Sequence, residues 1–180
     1  MNTKKIIFSS FHELMEKNSI NSISVAAILE AAEVSKPTFY RYFYNKYDLL
    51  EQWLASMLSP LIHVNEEYSW QRAMEDTLQG LEKEYSVFHR GFRSAEEYTL
   101  RDSVMIRLIE HAIFQMLEEK GADIHNLHIT FSVRSCTITH VAAICGWAGD
   151  RNHRPVAETV ELILGTVPEN LSQYFTDPGK

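Results

Sequence analysis

Cysteine, glycine and proline are scarce in this chain of 180 residues, which contains two, seven and five of them respectively. The two cysteines, Cys136 and Cys145, are too few for a disulfide framework and do not have the spacing of a zinc ribbon. The low glycine and proline content argues against collagen, disorder and the tight turns of small all-β folds. The sequence therefore indicates an all-α fold in which both thiols are reduced and packed as small apolar side chains.

Long apolar runs are also missing. The N-terminal segment interrupts its apolar positions with Ser, His and Glu, unlike the continuous apolar centre of a signal peptide. The longest mostly apolar stretch, residues 141–149, is far shorter than the roughly 20 residues that cross a bilayer. We therefore expect a soluble, cytoplasmic protein that does not interact with membranes.

Motifs for catalysis or cofactor binding are absent as well. The sequence has no Gly-rich phosphate loop, nucleophile elbow or HExxH pair. Its adjacent Glu pairs point away from each other on a helix and make poor acid and base partners. His125 and His128, with Asp123 nearby, are the best arrangement for a metal ion, but they lack an assignable further ligand. We predict no catalytic residues, no metal and no cofactor.

Acidic residues predominate, but they are unevenly distributed. The net charge is −7. Residues 1–47 contain six Lys and Arg against four Glu, a net charge of +2, which leaves −9 for residues 48–180. This asymmetry favours a small polyanion-binding head on an acidic body.

Capping residues divide the first fifty residues into four short helices. Ser24, Ser35 and Asn45 each precede a run of helix-forming residues, as N-caps do. Pro37 falls in the first turn of the third helix, where its missing N–H is tolerated. Asp48, three residues after Asn45, suggests a capping box. The second and third helices are too short to be stable alone, so they must pack on the first and fourth.

The third helix carries an unusual set of side chains. The segment SKPTFYRYFYNK, residues 35–46, combines hydroxyl groups, aromatic rings and cations. A helix that only packs against its neighbours does not need so many outward-facing polar groups. A helix in the major groove of DNA does, because such side chains reach phosphates and base edges.

At these residues the sequence resembles the DNA-binding domain of the TetR family of transcriptional regulators. The resemblance covers about residues 5–54. The matching residues are Ile23, Ser24, Val25, Ile28, Ala31, Ala32, Val34, Ser35, Lys36, Thr38, Phe39, Tyr40, Tyr42, Phe43, Lys46, Leu49 and Leu50. It implies a three-helix helix-turn-helix domain over residues 1–52 and a helical bundle over residues 53–180 that dimerises on a palindromic operator. It leaves repression and activation both open.

The same resemblance implies which side chains contact double-stranded DNA. They are Ser24, Ser35, Lys36, Pro37, Thr38, Tyr40, Tyr42 and Lys46. Most of them would contact the phosphate backbone, with Lys36, Pro37 and Tyr40 nearest the bases, while Phe39 and Phe43 pack inward. Glu33 departs from the family pattern, which usually has Gly there. A left-handed conformation at a non-Gly residue costs about 1 kcal/mol, so we expect this turn to open slightly.

Further helices are predicted after residue 53, giving about nine in total. Apolar spacing predicts one long helix over residues 70–92. Ser94 would cap a short helix, followed by a longer one that ends at Gly121. Asp123 would cap the next helix, and Pro155 would open the last one. Within the TetR family, this arrangement looks like the short subgroup that includes regulators linked to dihydroxyacetone kinase.

The bundle after residue 53 is where a regulator of this kind would sense a signal. A small-molecule effector would bind in a cavity between helices. The candidate lining residues are Met74, Tyr85, His89, Phe92, Met105, Ile109 and Phe131. The alternative is that a protein partner, docked on the acidic body, controls DNA binding.

The helix predicted to end near Trp147 is apolar on two opposite faces. One stripe contains Leu127, Phe131, Ile138, Val141, Ala142 and Cys145, and the other contains Ile129, Val133, Cys136, Ala143, Ile144 and Trp147. Both faces must be covered, one by the chain itself and the other by a second copy. The predicted homodimer interface consists of Ile138, Ala142, Ala143, Gly146 and Trp147. Either stripe could face the partner. We therefore expect that one of the two variants Ala142→Glu and Ala143→Glu disrupts the dimer and that the other does not.

Overall fold

The computed structural model describes residues 2–60, 69–150 and 152–175, and within these ranges the fold is all-helical, as predicted. The helices are α1 (Thr3–Met15), α2 (Val25–Ala31), α3 (Lys36–Tyr42), α4 (Lys46–Leu58), α5 (Trp70–Lys83), α6 (Tyr85–Arg90), α7 (Ala95–Glu119), α8 (Leu127–Gly149), α9 (Val156–Leu164) and α10 (Glu169–Phe175), with a 3₁₀ turn at Ile20–Ser22. None of the helices in these ranges is both long and apolar enough to cross a membrane.

Helices α1 to α4 form the head of the molecule. Its core is built on fully buried aromatic rings, with Phe11 packed edge-on against Trp53 at 5.7 Å and Phe39 against Phe43 at 5.4 Å. The predicted caps at Ser24, Ser35 and Asn45 are confirmed. The predicted capping box at Asn45 is not, because Asp48 accepts a hydrogen bond from the N–H of Tyr44 rather than from Asn45.

Helices α5 to α10 form the body. Helix α7 packs against both α4 and α8, so it connects the head to the centre of the body. Residues of α8 such as Val133, Cys136, His140 and Ile144 are buried. The head and the body share one continuous core of buried apolar side chains.

The predicted helix over residues 70–92 is two helices. The chain turns at Glu84, so that α6 packs against α1 and α8. The carboxylate of Glu84 lies 2.7 Å from Nε2 of His12 in the head. Apolar residues remain in phase across the turn, with Leu81 and Phe88 both buried, so periodicity could not reveal the break.

The reverse error occurs in α7, where two helices were predicted and the structure has one of 25 residues. The capping box of Ser94 and Glu97 is confirmed, but it starts the long helix. No Gly or Pro interrupts the segment before Gly121, whose φ of +76° ends the helix as predicted.

Two predicted boundaries near the C-terminus also differ. Helix α8 is capped by Asn126, whereas Asp123 accepts the N–H of His125 in the preceding turn. Helix α10 was missed. The Pro168 that precedes it is a helix-start signal, and Leu171 and Phe175 bury its apolar side.

Candidate nucleic-acid interface

Helices α2 and α3 form a helix-turn-helix held by local hydrogen bonds. Ser24 Oγ accepts the N–H of Ala27 at 3.1 Å at the start of α2. Ser35 Oγ accepts the N–H of Thr38 at 3.3 Å and lies 2.8 Å from Thr38 Oγ1. Each of these bonds satisfies a backbone donor that the first helical turn would otherwise leave unpaired. The start of α3 is therefore fixed at Ser35 by its side-chain cap.

The turn between the two helices is a Schellman motif built around Glu33. The N–H of Glu33 donates to the carbonyl of Glu30 at 3.2 Å, and the N–H of Val34 donates to that of Leu29 at 3.1 Å. Glu33 has a φ of +51°, the left-handed conformation expected from the sequence. The predicted opening of the turn does not occur, because both hydrogen bonds of the motif are formed.

Helix α3 divides its side chains between the core and the surface. Phe39 and Phe43 are buried, as predicted. On the opposite side Ser35, Lys36 and Pro37 are exposed and Thr38 is half-buried. Tyr40 is 47 % exposed even though its ring packs edge-on against Phe39 at 5.3 Å. An exposed side of this composition has the hydroxyl, cationic and aromatic groups that contact a DNA groove.

The end of α3 adds two further aromatic residues. Tyr42 is half-buried, and its ring lies 5.0 Å from the Arg41 guanidinium carbon. Tyr44 was not among the predicted contacts, yet it is 86 % exposed. Tyr44 lies between the buried Phe43 and the cap Asn45 and has no packing role in this fold. An aromatic residue directly before a helix cap was the sequence signal that could have identified it as a surface contact.

Lys46 does not lie as predicted. Its ammonium donates to the carbonyl oxygens of Ile20 at 2.9 Å, Asn21 at 3.1 Å and Ile23 at 2.9 Å. An ammonium has three donors, and all three are used inside the head. Partial burial lowers the pKa of Lys46, while the charge of Glu97 raises it. Because its three donors are used inside the head, we expect Lys46 to have an internal role rather than to contact a phosphate.

The predicted effector residues do not form one group. Met74, Phe92, Met105 and Ile109 are fully buried in the core. Tyr85 is half-buried and stacks on the exposed His89, with ring centres 5.1 Å apart. Phe131 is 71 % exposed and lines an open groove with Leu127, His128, Ser132 and Asn170. Phe131 therefore lies outside any enclosed pocket that the other residues could line.

Three buried titratable groups of the body, His140 and the two cysteines, are uncharged at neutral pH. Burial lowers the pKa of His140 to about 4 and raises that of Cys136 to about 11 and that of Cys145 to about 12. Cys136 Sγ lies 3.3 Å from Nε2 of His140. Both thiols are free and buried, as expected. His125 lies before α8, so it does not share a helix with His128, and the described part of the chain contains no cluster of three metal-ligating side chains.

The predicted dimer residues lie mostly on the surface of the single chain. Ile138, Ala142, Ala143 and Gly146 are exposed, whereas Trp147 is buried. Trp147 Nε1 donates to the carbonyl of Arg154 at 2.8 Å within the same chain, so its indole is used internally.

A helix-turn-helix whose second helix buries two Phe residues and exposes hydroxyl, cationic and Tyr side chains defines a DNA-binding regulator. Residues 7–52 match the family described as bacterial regulatory proteins, tetR family. Over 176 residues the chain is 28 % identical to the HTH-type dhaKLM operon transcriptional activator DhaS of Lactococcus lactis subsp. lactis (strain IL1403), covering 92 % of this chain and 90 % of that protein.

Solved structures share the fold. A TetR transcriptional regulator from Streptococcus agalactiae 2603V superposes with a TM-score of 0.69 at 19 % identity, over 93 % of this chain and 94 % of that one. A dihydroxyacetone kinase operon activator, DhaS, superposes with a TM-score of 0.66 at 24 % identity, over 92 % and 96 %. Residues 7–52 therefore match the DNA-binding domain of the tetR family, and the proteins that this chain resembles over most of its length are described as transcriptional regulators.

Proposed function

We propose that the protein binds a palindromic DNA operator as a homodimer and reads one half-site with α3 of each copy. In this proposal residues 1–52 bind DNA, and residues 53–180 dimerise and receive the signal. A regulator of bacterial DNA works in the cytoplasm. The observation that supports a dimer is an apolar strip on α8 that the rest of the described chain does not cover.

That strip consists of large side chains in the first half of α8. Leu127 is 79 % exposed, Phe131 71 % and Ile138 56 %. The opposite side of the helix, including Val133, Cys136 and Ile144, is buried in the body. An apolar strip of this extent on a helix whose opposite side is buried is typical of a protein interface. A second copy of the chain covers it.

The second half of α8 presents small residues on the surface. Ala142, Ala143 and Gly146 are exposed and line an open groove of about 640 Å³ together with Leu162 of α9. Two α8 helices that pair in antiparallel orientation about Ile138 bring the large residues of one copy against Ala142 and Gly146 of the other, whereas Ala143 lies away from the contact. Such pairing is isologous and closes a two-fold dimer.

On DNA, Ser24, Ser35, Thr38 and Tyr42 contact phosphates, and Lys36, Pro37 and Tyr40 lie nearest the bases. Tyr44 extends this surface beyond the end of α3. Support comes from their position on or beside the helix-turn-helix and from the exposure of most of them. Phosphate contacts supply affinity for any duplex, whereas contacts with base edges supply specificity.

The signal is a small-molecule effector bound in the body. Two buried polar atoms there, Trp70 Nε1 and Thr137 Oγ1, have no hydrogen-bond partner among the residues that the structure describes. The Trp70 ring stacks on His140, with ring centres 6.4 Å apart. Buried polar groups are normally paired, so these two are available to a polar ligand. Isothermal titration with candidate metabolites, against Thr137→Val as the control, tests this site.

The operator and the dimer are tested together. Duplexes selected from a random pool by the wild-type protein should contain an inverted repeat, and the protein should sediment as a dimer at micromolar concentration. Ala142 lies about 40° from Ile138 around the helix and Ala143 about 140°. Ala142→Glu should therefore give a folded monomer with weak operator binding, and Ala143→Glu should remain dimeric. A monomeric wild type would contradict the proposal and leave the α8 strip to a different protein partner.

A further inference from the structure

One peptide group in the head is held from both ends by charged side chains. It joins Ile20 to Asn21 within the 3₁₀ turn. Its carbonyl oxygen accepts a hydrogen bond from Lys46 Nζ at 2.9 Å, and its N–H donates to Glu97 Oε1 at 3.0 Å. Lys46 begins α4 of the head and Glu97 lies in the first turn of α7 in the body. The peptide group therefore links the two parts of the molecule.

The Glu97 carboxylate caps α7 of the body and also binds the 3₁₀ turn of the head. Its Oε2 accepts the N–H groups of Arg93 at 2.5 Å and Ser94 at 2.8 Å, which caps α7. Its Oε1 reaches the head through Asn21. Burial by itself would raise the pKa of Glu97, but the N–H donors hold it below its usual value. The side chain is a buried anion that accepts three backbone N–H groups and also interacts with the Ser94 side chain, and hydrogen bonds to a charged group are strong.

A second hydrogen bond joins the same turn to the body. The N–H of Ile20 donates to the carbonyl of Gly91 at 3.0 Å. Gly91 has no room for a side chain, because a Cβ there would lie 2.6 Å from Met15 Cε and 2.6 Å from the Val87 carbonyl oxygen. The end of α1 is therefore in close contact with the corner between α6 and α7.

The turn held in this way leads directly into the DNA-binding element. Ser24, the N-cap of α2, follows two residues after the turn ends, and the Ile23 carbonyl between them is also bound by Lys46. Lys46 follows α3 in the chain by four residues. The segment from the 3₁₀ turn to α4, which contains α2 and α3, is thus tied at both ends to the peptide group that Glu97 holds.

We propose that Glu97 is a positioning residue that sets the direction in which α3 projects from the body, and so the separation of the two α3 helices in the dimer. This inference rests on the proposed binding of a dimer to a palindrome. A dimer with rigid heads requires a fixed half-site spacing, since each added base pair shifts a half-site by about 3.4 Å and turns it by about 34°. A dimer with loose heads tolerates other spacings.

The variant Glu97→Gln separates positioning from capping. A Gln side chain retains one oxygen that can accept the Arg93 and Ser94 N–H groups. Its amide then presents N–H groups to the N–H of Asn21, so the bond to the head is lost. Glu96→Gln is the matched control, because Glu96 is exposed on the same helical turn and loses the same charge.

The experiment uses the full-length protein and the operator selected by the wild type, together with operators in which the half-site spacing is one base pair shorter or longer. The readout is the ratio of the affinity for the selected spacing to that for each altered spacing. For Glu97→Gln this ratio should fall by about tenfold, the worth of one charge-assisted hydrogen bond. Glu96→Gln should keep the wild-type ratio.

Loss of stability alone would lower the affinity for all three operators equally and leave the ratio unchanged, and that result would overturn the inference. Lys46→Met tests the other end of the same peptide group, in case Glu97→Gln does not fold, and it should lower the ratio in the same way. The effects of the two substitutions should also be non-additive in the double variant. If the wild type selects no palindrome, the proposed function itself fails, which is distinguishable from an unchanged ratio.

Discussion

Lys46 and Glu97 bind the same peptide group from opposite sides, with the Lys46 ammonium 2.9 Å from its oxygen and the Glu97 carboxylate 3.0 Å from its nitrogen. The opposite charges polarise this group in the same direction, which strengthens both hydrogen bonds. The resemblance to the TetR family implied a phosphate contact for Lys46, but the folded chain gives its ammonium three carbonyl partners.

Removing Lys46 should therefore not change the salt dependence of DNA binding. Each lost phosphate contact reduces the slope of log K against log salt by about one. We expect Lys46→Ala to retain the wild-type slope in a salt titration measured by fluorescence anisotropy. Lys36→Ala should instead reduce discrimination between operator and random duplex, because Lys36 is exposed at the start of α3. If the slope for Lys46→Ala were lower by about one, Lys46 would be a phosphate contact after all.

Glu33 combines an unfavourable backbone conformation with a negative charge beside the DNA-binding helix. Glycine adopts its φ of +51° without the cost that other residues incur. Glu33→Gly should raise the free energy of unfolding by about 0.5 to 1 kcal/mol, measured by urea denaturation. Glu33→Gln removes only the charge, so it should tighten DNA binding without raising stability. Equal stability of the two variants would show that the turn carries no strain.

Gly146 should matter for the dimer and not for the single chain. A Cβ at this position would have no atom within 4 Å, so the fold of one chain does not require glycine there. Gly146→Leu should weaken dimerisation in sedimentation equilibrium, because in the proposed dimer the second copy packs against this surface. In the monomeric Ala142→Glu background the same change should raise the free energy of unfolding by about 0.5 to 1 kcal/mol, because Gly disfavours helix. An unchanged dimer would exclude this part of α8 from the interface.

His140 should make the stability of the protein depend on pH. Burial lowers its pKa from an ordinary value of 6.5 to about 4. Between these values the unfolded chain binds a proton that the folded chain does not, so stability is complete above pH 6.5 and falls as the pH drops towards 4. The loss from pH 7 to pH 5 should be about 2 kcal/mol in urea denaturation.

His140→Leu should remove most of this dependence between pH 7 and pH 5. His125→Gln is the control, because His125 is exposed and lies outside the helices. Its pH profile should match that of the wild type. A His140→Leu profile as steep as that of the wild type would mean that the imidazole is protonated in the folded protein.

Much of the head could be predicted from the sequence because its signals are local. A capping hydroxyl at Ser24 or Ser35 bonds to an N–H three residues ahead, and the spacing of Phe39 and Phe43 places both rings on one side of a helix. These relationships span four residues or fewer, so they can be recognised from the local sequence alone. The same holds for the capping box of Ser94 and the helix end at Gly121.

Other features depended on contacts between distant parts of the chain. The break at Glu84 accompanies a contact with His12, 72 residues away, and the position of Lys46 depends on carbonyls at least 23 residues away. Which strip of α8 stays exposed depends on which side of the helix the body covers. Ile138 and Val133 belong to two apolar stripes that look equally suited to burial in the sequence, but only Val133 is buried. The sequence by itself determined the helical class, the caps of the head and the DNA-binding motif, whereas the tertiary structure decided which side chains remain exposed and free to bind, because burial depends on the packing of the whole chain.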